Sequence, residues 1–324
     1  MNISVVIPTR NRLDSLNRTL HSISNQTCIP KEIIIVDSSD IPIQNNQLTS
    51  KFSSTSLQII NTKPSVCLQR NIGIAKSSSE YIFLCDDDLV YDESYIQVLF
   101  QYLNENPSIQ MVSGLVLEKE GSAWRFGHKI SNLNLVYKLF FGLSIFSDLS
   151  SKKDSNKFIK YIVKKALSKG NHISKAGWPH FIDMSKEEIL FPFFSLMATL
   201  IRKPSDDLFD PVFIYNGIGD NYDACLKLGF NITILKKVKA YHHRENINRI
   251  DSGKGFFYRT SALHYIIKKH QMFNWKNRVY LIWSLVGVLI PNVIKIRVKN
   301  TKMILTLIRD IITNQTIYDK ANIK

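Results

Sequence analysis

Residues 81–88 read Tyr-Ile-Phe-Leu-Cys-Asp-Asp-Asp, five mostly apolar positions that end abruptly in three carboxylates. A run so short and so apolar is expected for a strand buried on both faces of a parallel sheet. The same pattern recurs upstream. Ile3–Ile7 leads into Pro8-Thr9-Arg10-Asn11, Glu32–Val36 leads into Asp37-Ser38-Ser39-Asp40, and Leu57-Gln58-Ile59-Ile60 supplies a third strand. Between them Leu13, Leu16, Leu20 and Ile23 recur at helical spacing, with Asn11 placed to cap and Asp14 in the first turn. Leu68, Ile72 and Ala75 mark a second helix. Downstream, Asp92 is expected to cap a helix carrying Ile96, Leu99, Phe100 and Leu103 and stopped at Pro107. This β-α-β-α order specifies an α/β domain with a mostly parallel sheet and right-handed crossovers. Ligands of such sheets bind beyond the carboxyl ends of the strands, so residues 8–11, 37–40 and 85–88 are expected to form one site.

A chain of 324 residues holds one large domain or two ordinary ones, and 44% hydrophobic with 21% charged residues excludes wholesale disorder, a collagenous repeat or a coiled coil. Cys28, Cys67, Cys85 and Cys225 are widely spaced with no C-x-x-C, so reduced thiols are expected rather than a disulfide scaffold or structural zinc. The net charge of +15 is unevenly placed: residues 231–324 hold 18 Lys/Arg against 4 Asp/Glu, which leaves the first 230 nearly neutral. A basic region of this kind serves nucleic acid, anionic lipid or a phosphorylated substrate. Met1-Asn2 runs straight into the first strand, so no signal peptide is expected. The longest apolar stretch, Val279 to Ile290, is closed by Pro291; it falls short of the roughly 18–20 residues that span a bilayer but is long enough to lie on one. Residues 144–175 are rich in Ser, Lys and Asn, with a basic helix within 152–169, and read as an insertion or mobile segment.

Three consecutive aspartates repel one another and need compensation by a hard divalent cation or a helix N-terminus. If the strand continues, Asp86 and Asp88 face one ligand and Asp87 points elsewhere. Oxygen ligands suit Mg²⁺ or Mn²⁺, ions that bridge carboxylates to substrate phosphates; helix capping by Asp88 or Asp92 is the plainer alternative.

Taken together, V-V-I-P-T-R-N-R at 5–12, I-I-I-V-D-S-S-D at 33–40, Q-R-N-I-G-I-A at 69–75 and Y-I-F-L-C-D-D-D at 81–88 resemble the family 2 glycosyltransferases, which have the GT-A fold. The resemblance covers about the first 120 residues firmly and resumes loosely at 217–243. It implies that 1–120 is the nucleotide-sugar-binding half of a GT-A domain and 121–245 the acceptor-binding half. A helical, basic region then follows over 246–324, expected either to associate with a membrane or to pack on the domain as a core helix covering the sheet. Thr9 matches the threonine that contacts the nucleotide base, with Pro8 and Arg10 beside it. Asp37 matches the first aspartate of the family's pair, but Ser38 stands where the second often binds uracil, which leaves uracil, thymine and guanine open. Arg70 matches the R-N-x-G arginine near base and phosphates. In the D-x-D position Asp88 is the implied metal ligand, with Asp86 and Asp87 toward ribose or sugar.

The segment Tyr215-Asn216-Gly217-Ile218-Gly219-Asp220-Asn221-Tyr222-Asp223 resembles the family's G-x-G-E-D-x-D, which supplies the catalytic base. Here Asn221 falls at the usual base. An amide cannot accept a proton at neutral pH, so either Asp220 or Asp223 takes that role or the alignment is off by one, and the plainer alternative is that Asp220 only caps the helix that follows. Tyr241-His242-His243-Arg244 resembles a segment whose histidine approaches the metal or diphosphate, which makes His243 an expected ligand and favours Mn²⁺ over Mg²⁺. Trp178, Phe193 and Phe194 precede a strand where related enzymes form the acceptor wall. Trp178 and Phe194 are thus expected acceptor contacts, with plain core packing as the alternative.

The implied activity is inverting, metal-dependent transfer of a sugar from a UDP- or dTDP-sugar to a hydroxyl of a glycan or lipid-linked glycan, as in bacterial polysaccharide assembly. The enzyme is expected to be cytoplasmic, free or peripheral on the inner face of the cell membrane, with an anionic membrane surface and not nucleic acid as partner. A nucleotidyltransferase would want a Gly-rich phosphate loop after the first strand, and Pro8-Thr9-Arg10-Asn11 has no glycine. A nucleic-acid-binding protein would leave the acidic triplet unexplained.

Overall fold

A computed structural model describes residues 2–50, 52–152, 156–214, 217–245 and 251–319. Tyr215 and Asn216 of the expected G-x-G segment, residues 153–155 of the Ser/Lys/Asn-rich stretch, and the 245/246 boundary lie at or outside these limits. In chain order the elements begin β1 (Ile3–Thr9), α1 (Leu13–Ser24), β2 (Glu32–Asp37), β3 (Ser56–Asn61), α2 (Val66–Lys76), β4 (Tyr81–Cys85) and β5 (Leu89–Tyr91). There follow α3 (Tyr95–Glu105), β6 (Met111–Glu120), β7 (Ala123–Arg125), α4 (Asn132–Phe141), β8 (Ile145–Phe146), α5 (Lys157–Leu167) and β9 (His172–Ile173). Next come β10 (Pro179–Phe181), β11 (Glu188–Phe191), β12 (Ala198–Arg202), α6 (Asp220–Lys227) and β13 (Ile232–His242). The chain closes with α7 (Ser252–Lys269), α8 (Trp275–Ile294) and α9 (Val298–Ile312).

These elements form two compact units that are interleaved in sequence: Met1–Phe126 with Glu187–Arg249, and Gly127–Lys186 with Ile250–Lys324. The first unit is built on a mixed sheet of order β11-β13-β6-β12-β4-β1-β2-β3, with β5 added to β13 and β7 to β6. The β1, β2, β3 and β4 pairings are parallel, as is β13 with β6, whereas β12 runs antiparallel to both β4 and β6. The apolar runs of β1, β2 and β4 are wholly buried, as strands covered on both faces must be. Pro8 is tolerated in β1 because the β1–β4 register ends at Val6–Leu84, so only β2 pairs with the strand there.

Two expected caps are placed differently. Asn11 adopts a left-handed φ of 55° and donates to Asp40, and α1 starts after Arg12 with no side-chain cap. Asp92 accepts from the Lys239 backbone and so ties the start of α3 to β13, while Ser94 occupies the N-cap position. In both cases a partner distant in sequence competes successfully for a short polar side chain.

In the second unit the 144–175 stretch is folded where it is described. Ile145, Leu149, Ile159, Val163 and Ala166 form a small apolar core with Leu135 and Ile182. Between Ser252 and Ile312 the chain is mostly helical, and α8 runs through Pro291 to 20 residues, longer than the 12-residue apolar stretch closed by Pro291 suggested. Proline at 291 removes the N–H that would bond to the Gly287 carbonyl. The Tyr137 hydroxyl donates to that same carbonyl, so the helix continues with no acceptor stranded. By length and composition alone, α8 is apolar enough to cross a membrane.

Candidate active site

The acidic triplet lies in the turn between β4 and β5, not in a strand. Strand alternation therefore stops at Cys85. Asp86 accepts from Arg70 Nη2 at 2.7 Å, whereas Asp87 and Asp88 converge on Arg12 Nη1 at 3.1 and 3.4 Å. The expectation that Asp86 and Asp88 share one direction is thereby corrected.

Three strand ends meet here, as the sequence pattern requires. From β1, the Thr9 hydroxyl donates to Asp87 Oδ2 at 2.6 Å. From β4 come the three carboxylates. The β2 end is organised differently: both oxygens of buried Asp37 accept from the loop after it, from Ser39 N, Ser39 Oγ and Ile43 N. Ser38 is buried and its N–H donates to the Thr9 carbonyl. Gln69 on α2 donates to the carbonyls of Thr9 and Val36 and so clamps the β1 and β2 ends together. Arg10 extends outward to an exposed pair with Asp40.

Arg70 links this cluster to a residue 150 positions later. Its Nη1 donates to Asp220 Oδ2 at 2.6 Å while Nη2 holds Asp86, and its guanidinium stacks 5.1 Å from the Phe209 ring centroid. Asp220 opens α6 after Gly217 and Gly219. Gly217 has a φ of +67°, and a Cβ there would stand 2.6 Å from Asp220 Oδ2, so glycine is what lets the turn close on this carboxylate. Burial pushes the Asp220 carboxyl up to about 7 against the opposing charge of Arg70. Asn221 uses its Oδ1 to accept from the Leu196 backbone. Asp223 is wholly buried and lies 3.6 Å from Lys227 on the same helix.

On the far edge of the triplet it is His242, not its neighbour, that meets the acidic residues. His242 Nε2 lies 3.2 Å from Asp88 Oδ1, and its Nδ1 lies 2.9 Å from Glu118. Burial alone would lower this imidazole, but the hydrogen bonds and charges of Asp88 and Glu118 raise it to about 9. His243 points the other way, its ring edge-on to Trp124, although its backbone N–H donates to the Asp88 backbone carbonyl. Adjacent strand residues face opposite sides, and the irregular β13–β6 register between Leu235 and Lys239 hides from sequence which of the pair turns inward. Burial, then the charges of Arg12, Asp88 and Asp86, act on Asp87, whose carboxyl is raised to about 7.

The expected acceptor aromatics fall in different places. Phe194 packs with Phe126 and Phe191 in the first unit. Trp178 belongs to the second unit, where its ring is buried and Nε1 donates to Ser284 Oγ at 3.0 Å, a packing role that accounts for it. Arg12, His242 and Glu118 were not singled out from sequence. For Arg12 the available signal was its place in T-R-N-R directly after β1. Among the described residues no three His, Cys, Asp or Glu side chains gather as a closed metal cage.

The model of Glycosyl transferase family 2 matches residues 4–169, about half of the chain. YwdF, an uncharacterized glycosyltransferase of Bacillus subtilis (strain 168), is 30% identical over 137 residues, 40% of this chain and 49% of that protein. The poly(ribitol-phosphate) beta-N-acetylglucosaminyltransferase TarP of Staphylococcus aureus (strain N315) is 29% identical over 124 residues, 37% of this chain and 38% of TarP. The aligned chain thus spans about half or less of these relatives. Among solved structures, S. aureus TarS 1-349 in complex with UDP-GlcNAc superposes with a TM-score of 0.56 at 13% identity, covering 97% of this chain and 81% of that one. GalNAc-T7 with UDP, GalNAc and Mn²⁺ superposes with a TM-score of 0.52 at 13% identity, covering 81% and 47%. These two likenesses show the fold, a GT-A arrangement of sheet and flanking helices. With the strand-end motifs in place and the family's model matched across half its length, the chain belongs to glycosyl transferase family 2.

Proposed function

We propose that this protein transfers a sugar, with inversion, from a nucleoside-diphosphate sugar to a hydroxyl of a glycan or lipid-linked glycan. The observation that carries the reading is the Arg70 bridge, which brings Asp220 to the acidic triplet across 150 residues of chain. Thr9, Pro8, Ser38 and the Asp37-ordered loop form the base side of the nucleotide-sugar site, with Arg10 at its rim and Asp86 and Asp87 toward ribose and sugar. A UDP- or dTDP-sugar is the proposed donor.

The residues present fit a divalent cation. An Asp88 oxygen and the His242 Nε2 lie side by side, and a positive group, the Arg12 guanidinium, already stands between Asp87 and Asp88. With its pKa raised to about 9, His242 must give up the Nε2 proton to a bound cation; a carboxylate with the imidazole so freed suits Mn²⁺, with Mg²⁺ the alternative. We therefore assign Asp88 and His242 as the holding pair, in place of His243. When bound, the cation would neutralise charge developing on the departing diphosphate.

Asp220 is assigned as the base. A carboxyl raised to about 7 is matched to proton transfer near neutral pH, and Arg70 fixes its direction. The acceptor hydroxyl gives its proton to Asp220 as its oxygen attacks the anomeric carbon from the face opposite the leaving group. Asp223, which lies 3.6 Å from Lys227 on its own helix, is the substitute. Phe194 is retained as an acceptor-side contact. The excess of Lys and Arg in the C-terminal region supports a peripheral position on an anionic membrane, proposed to be the cytoplasmic face.

The test is a thermal-shift panel of UDP, dTDP and GDP with and without Mn²⁺, followed by Asp88→Asn and His242→Gln. One diphosphate should stabilise the protein, and both variants should lose the Mn²⁺-dependent part of that shift. A shift equally large in EDTA, or one unchanged in both variants, overturns the metal assignment.

A further inference from the structure

The helix α8 has two apolar sides, and the described residues cover one of them. Leu281, Ser284, Leu285 and Gly287 are buried. This inner side is fixed in place: Trp178 donates to Ser284, Tyr137 donates to the Gly287 carbonyl, and a Cβ on Gly287 would stand 2.4 Å from the Phe141 ring. The outer side carries Trp275, Val279, Trp283, Ile290 and Ile294 at helical spacing, and all five are exposed. Phe140, 65% exposed, lies edge-on to Trp283 at 5.4 Å and widens the apolar strip onto α4.

The charge around this strip has one sign. From residue 252 to 309 there is no Asp or Glu, while 11 Lys/Arg occur, among them Lys276 and Arg278 at the start of α8 and Lys295, Arg297, Lys299 and Lys302 after it. Lys175 stands 5.1 Å over the Tyr280 ring, and Lys276 stands 5.9 Å over that of Trp275. Basic residues bracketing exposed Trp, Val and Ile match the chemistry of a lipid interface, with acyl chains for the strip and anionic headgroups for the flanks.

We propose that α8 lies in the plane of an anionic membrane as an interfacial helix and does not cross it, even though its length and composition would allow crossing. Spanning would strip the inner side from Trp178, Tyr137 and Phe141 and leave the Gly287 carbonyl without its hydroxyl donor. Lying flat keeps those contacts and buries the outer strip. The inference deepens the peripheral placement given above and rests on it, but not on the sugar-transfer chemistry.

The experiment uses the full chain with vesicles of phosphatidylglycerol and phosphatidylcholine, and with phosphatidylcholine alone. Sedimentation should require phosphatidylglycerol and fade at high salt, where screening shortens to a few ångströms. Val279→Glu with Trp283→Glu should abolish it, and Lys276→Gln and Arg278→Gln should each weaken it about fivefold. Lipids brominated near the glycerol end of the chain should quench tryptophan fluorescence more than lipids brominated at the chain terminus. Nucleotide thermal shifts should be unchanged in these variants, which separates failure of docking from failure of the transferase reading. The proposal is overturned if the intact protein ignores phosphatidylglycerol at low salt or if quenching is deepest at the bilayer centre. It is also overturned if the double variant lowers the oligomeric mass in the absence of vesicles, which would make the strip a contact between copies.

Discussion

At the strand ends of the first unit, Arg70, Asp87, Asp88 and Asp220 are each at most 4% exposed, whereas on the outer side of α8 Trp275, Val279 and Trp283 are more than 40% exposed. Each region reverses the usual placement of polar and apolar groups. They differ in how the reversal is compensated. The buried charges are paired within the chain, Arg70 with Asp86 and Asp220 and Arg12 with Asp87 and Asp88. On the strip, Trp275 and Val279 lie open, and Trp283 is held at its inner edge, where Nε1 donates to the Phe140 carbonyl and the ring packs on Phe141. A ligand at the strand ends must therefore exchange with ion pairs already made, and single substitutions there should have large consequences. A partner for α8 only has to cover surface, and outer-face substitutions should leave the fold almost unchanged.

The largest expected effect is on turnover. Asp220→Asn should lower kcat by roughly 10²–10⁴-fold, the usual worth of a general base, with nucleoside-diphosphate affinity little changed. Asp223→Asn is the control, read by the same assay. If Asp223→Asn removes turnover and Asp220→Asn does not, the base is Asp223 and the Arg70 bridge only orients the start of α6.

Next in size is the loss of the bridge itself. Arg70→Met removes one cation from between two carboxylates, one of them 2% exposed, and breaking a buried pair from one side costs about 3–5 kcal/mol. Urea denaturation of the first unit should show that loss. An unchanged midpoint would mean that Asp220 takes up its proton and tolerates isolation, and the contrast between the two regions would weaken.

Much of this arrangement was legible in the sequence, and the residues that were not share a cause. Apolar runs at 3–7, 32–36 and 81–85, alternating with helical periodicity, fit buried strands of a mostly parallel sheet, although β4 also pairs antiparallel with β12, and the site's location at their carboxyl ends followed. Side-chain direction within the site did not follow. Strand alternation does not carry on to Asp86–Asp88, because the strand stops at Cys85 and the turn geometry redirects them. His242 and His243 are indistinguishable until the β13 register is known. Asn11 and Asp92 look like caps from local spacing and instead bind Asp40 and the Lys239 backbone, partners set only by the fold. The interleaving of the units left no trace either, because no Gly- or Pro-rich linker marks Phe126 or Glu187.

A middle-sized effect probes the fixed side of α8. Gly287→Ala places a methyl group where the Phe141 ring already stands, and overpacking of that kind costs about 1–3 kcal/mol. Tyr137→Phe leaves the Gly287 carbonyl without its donor for a similar cost of about 1–3 kcal/mol. Both should lower the melting temperature of the second unit, whereas Val279→Glu, at an exposed position of the outer side, should not. If Val279→Glu destabilises as much as Gly287→Ala, the outer strip is packed in solution and the contrast with the strand ends disappears.

The smallest signal expected is the opposite response of the two units to pH. In the first unit, burial raises Asp87 and Asp220 to about 7, so the folded state keeps protons that the unfolded chain releases near its ordinary value of 3.8. Their contribution is therefore present at low pH and is lost as pH rises through about 7. His242, raised to about 9 from 6.5 by Asp88 and Glu118 against its burial, adds a loss of the same sign between those values. In the second unit, burial first and neighbouring cations next lower His180 and His264 to about 4 from 6.5. The folded state then binds fewer protons than the unfolded chain in that window, and stability rises with pH from about 4 to 6.5. Amide hydrogen exchange at pH 5 and pH 7, corrected for intrinsic rates, reads the two units separately. Peptides from β1, β4 and α6 should be better protected at pH 5, and those from β10 and α7 at pH 7, each by about severalfold because coupled neighbours titrate in part for one another. Parallel changes in both sets would mean that the carboxylates at the strand ends are ionised throughout, and that Arg70 and Arg12 already hold them as full ion pairs at pH 5.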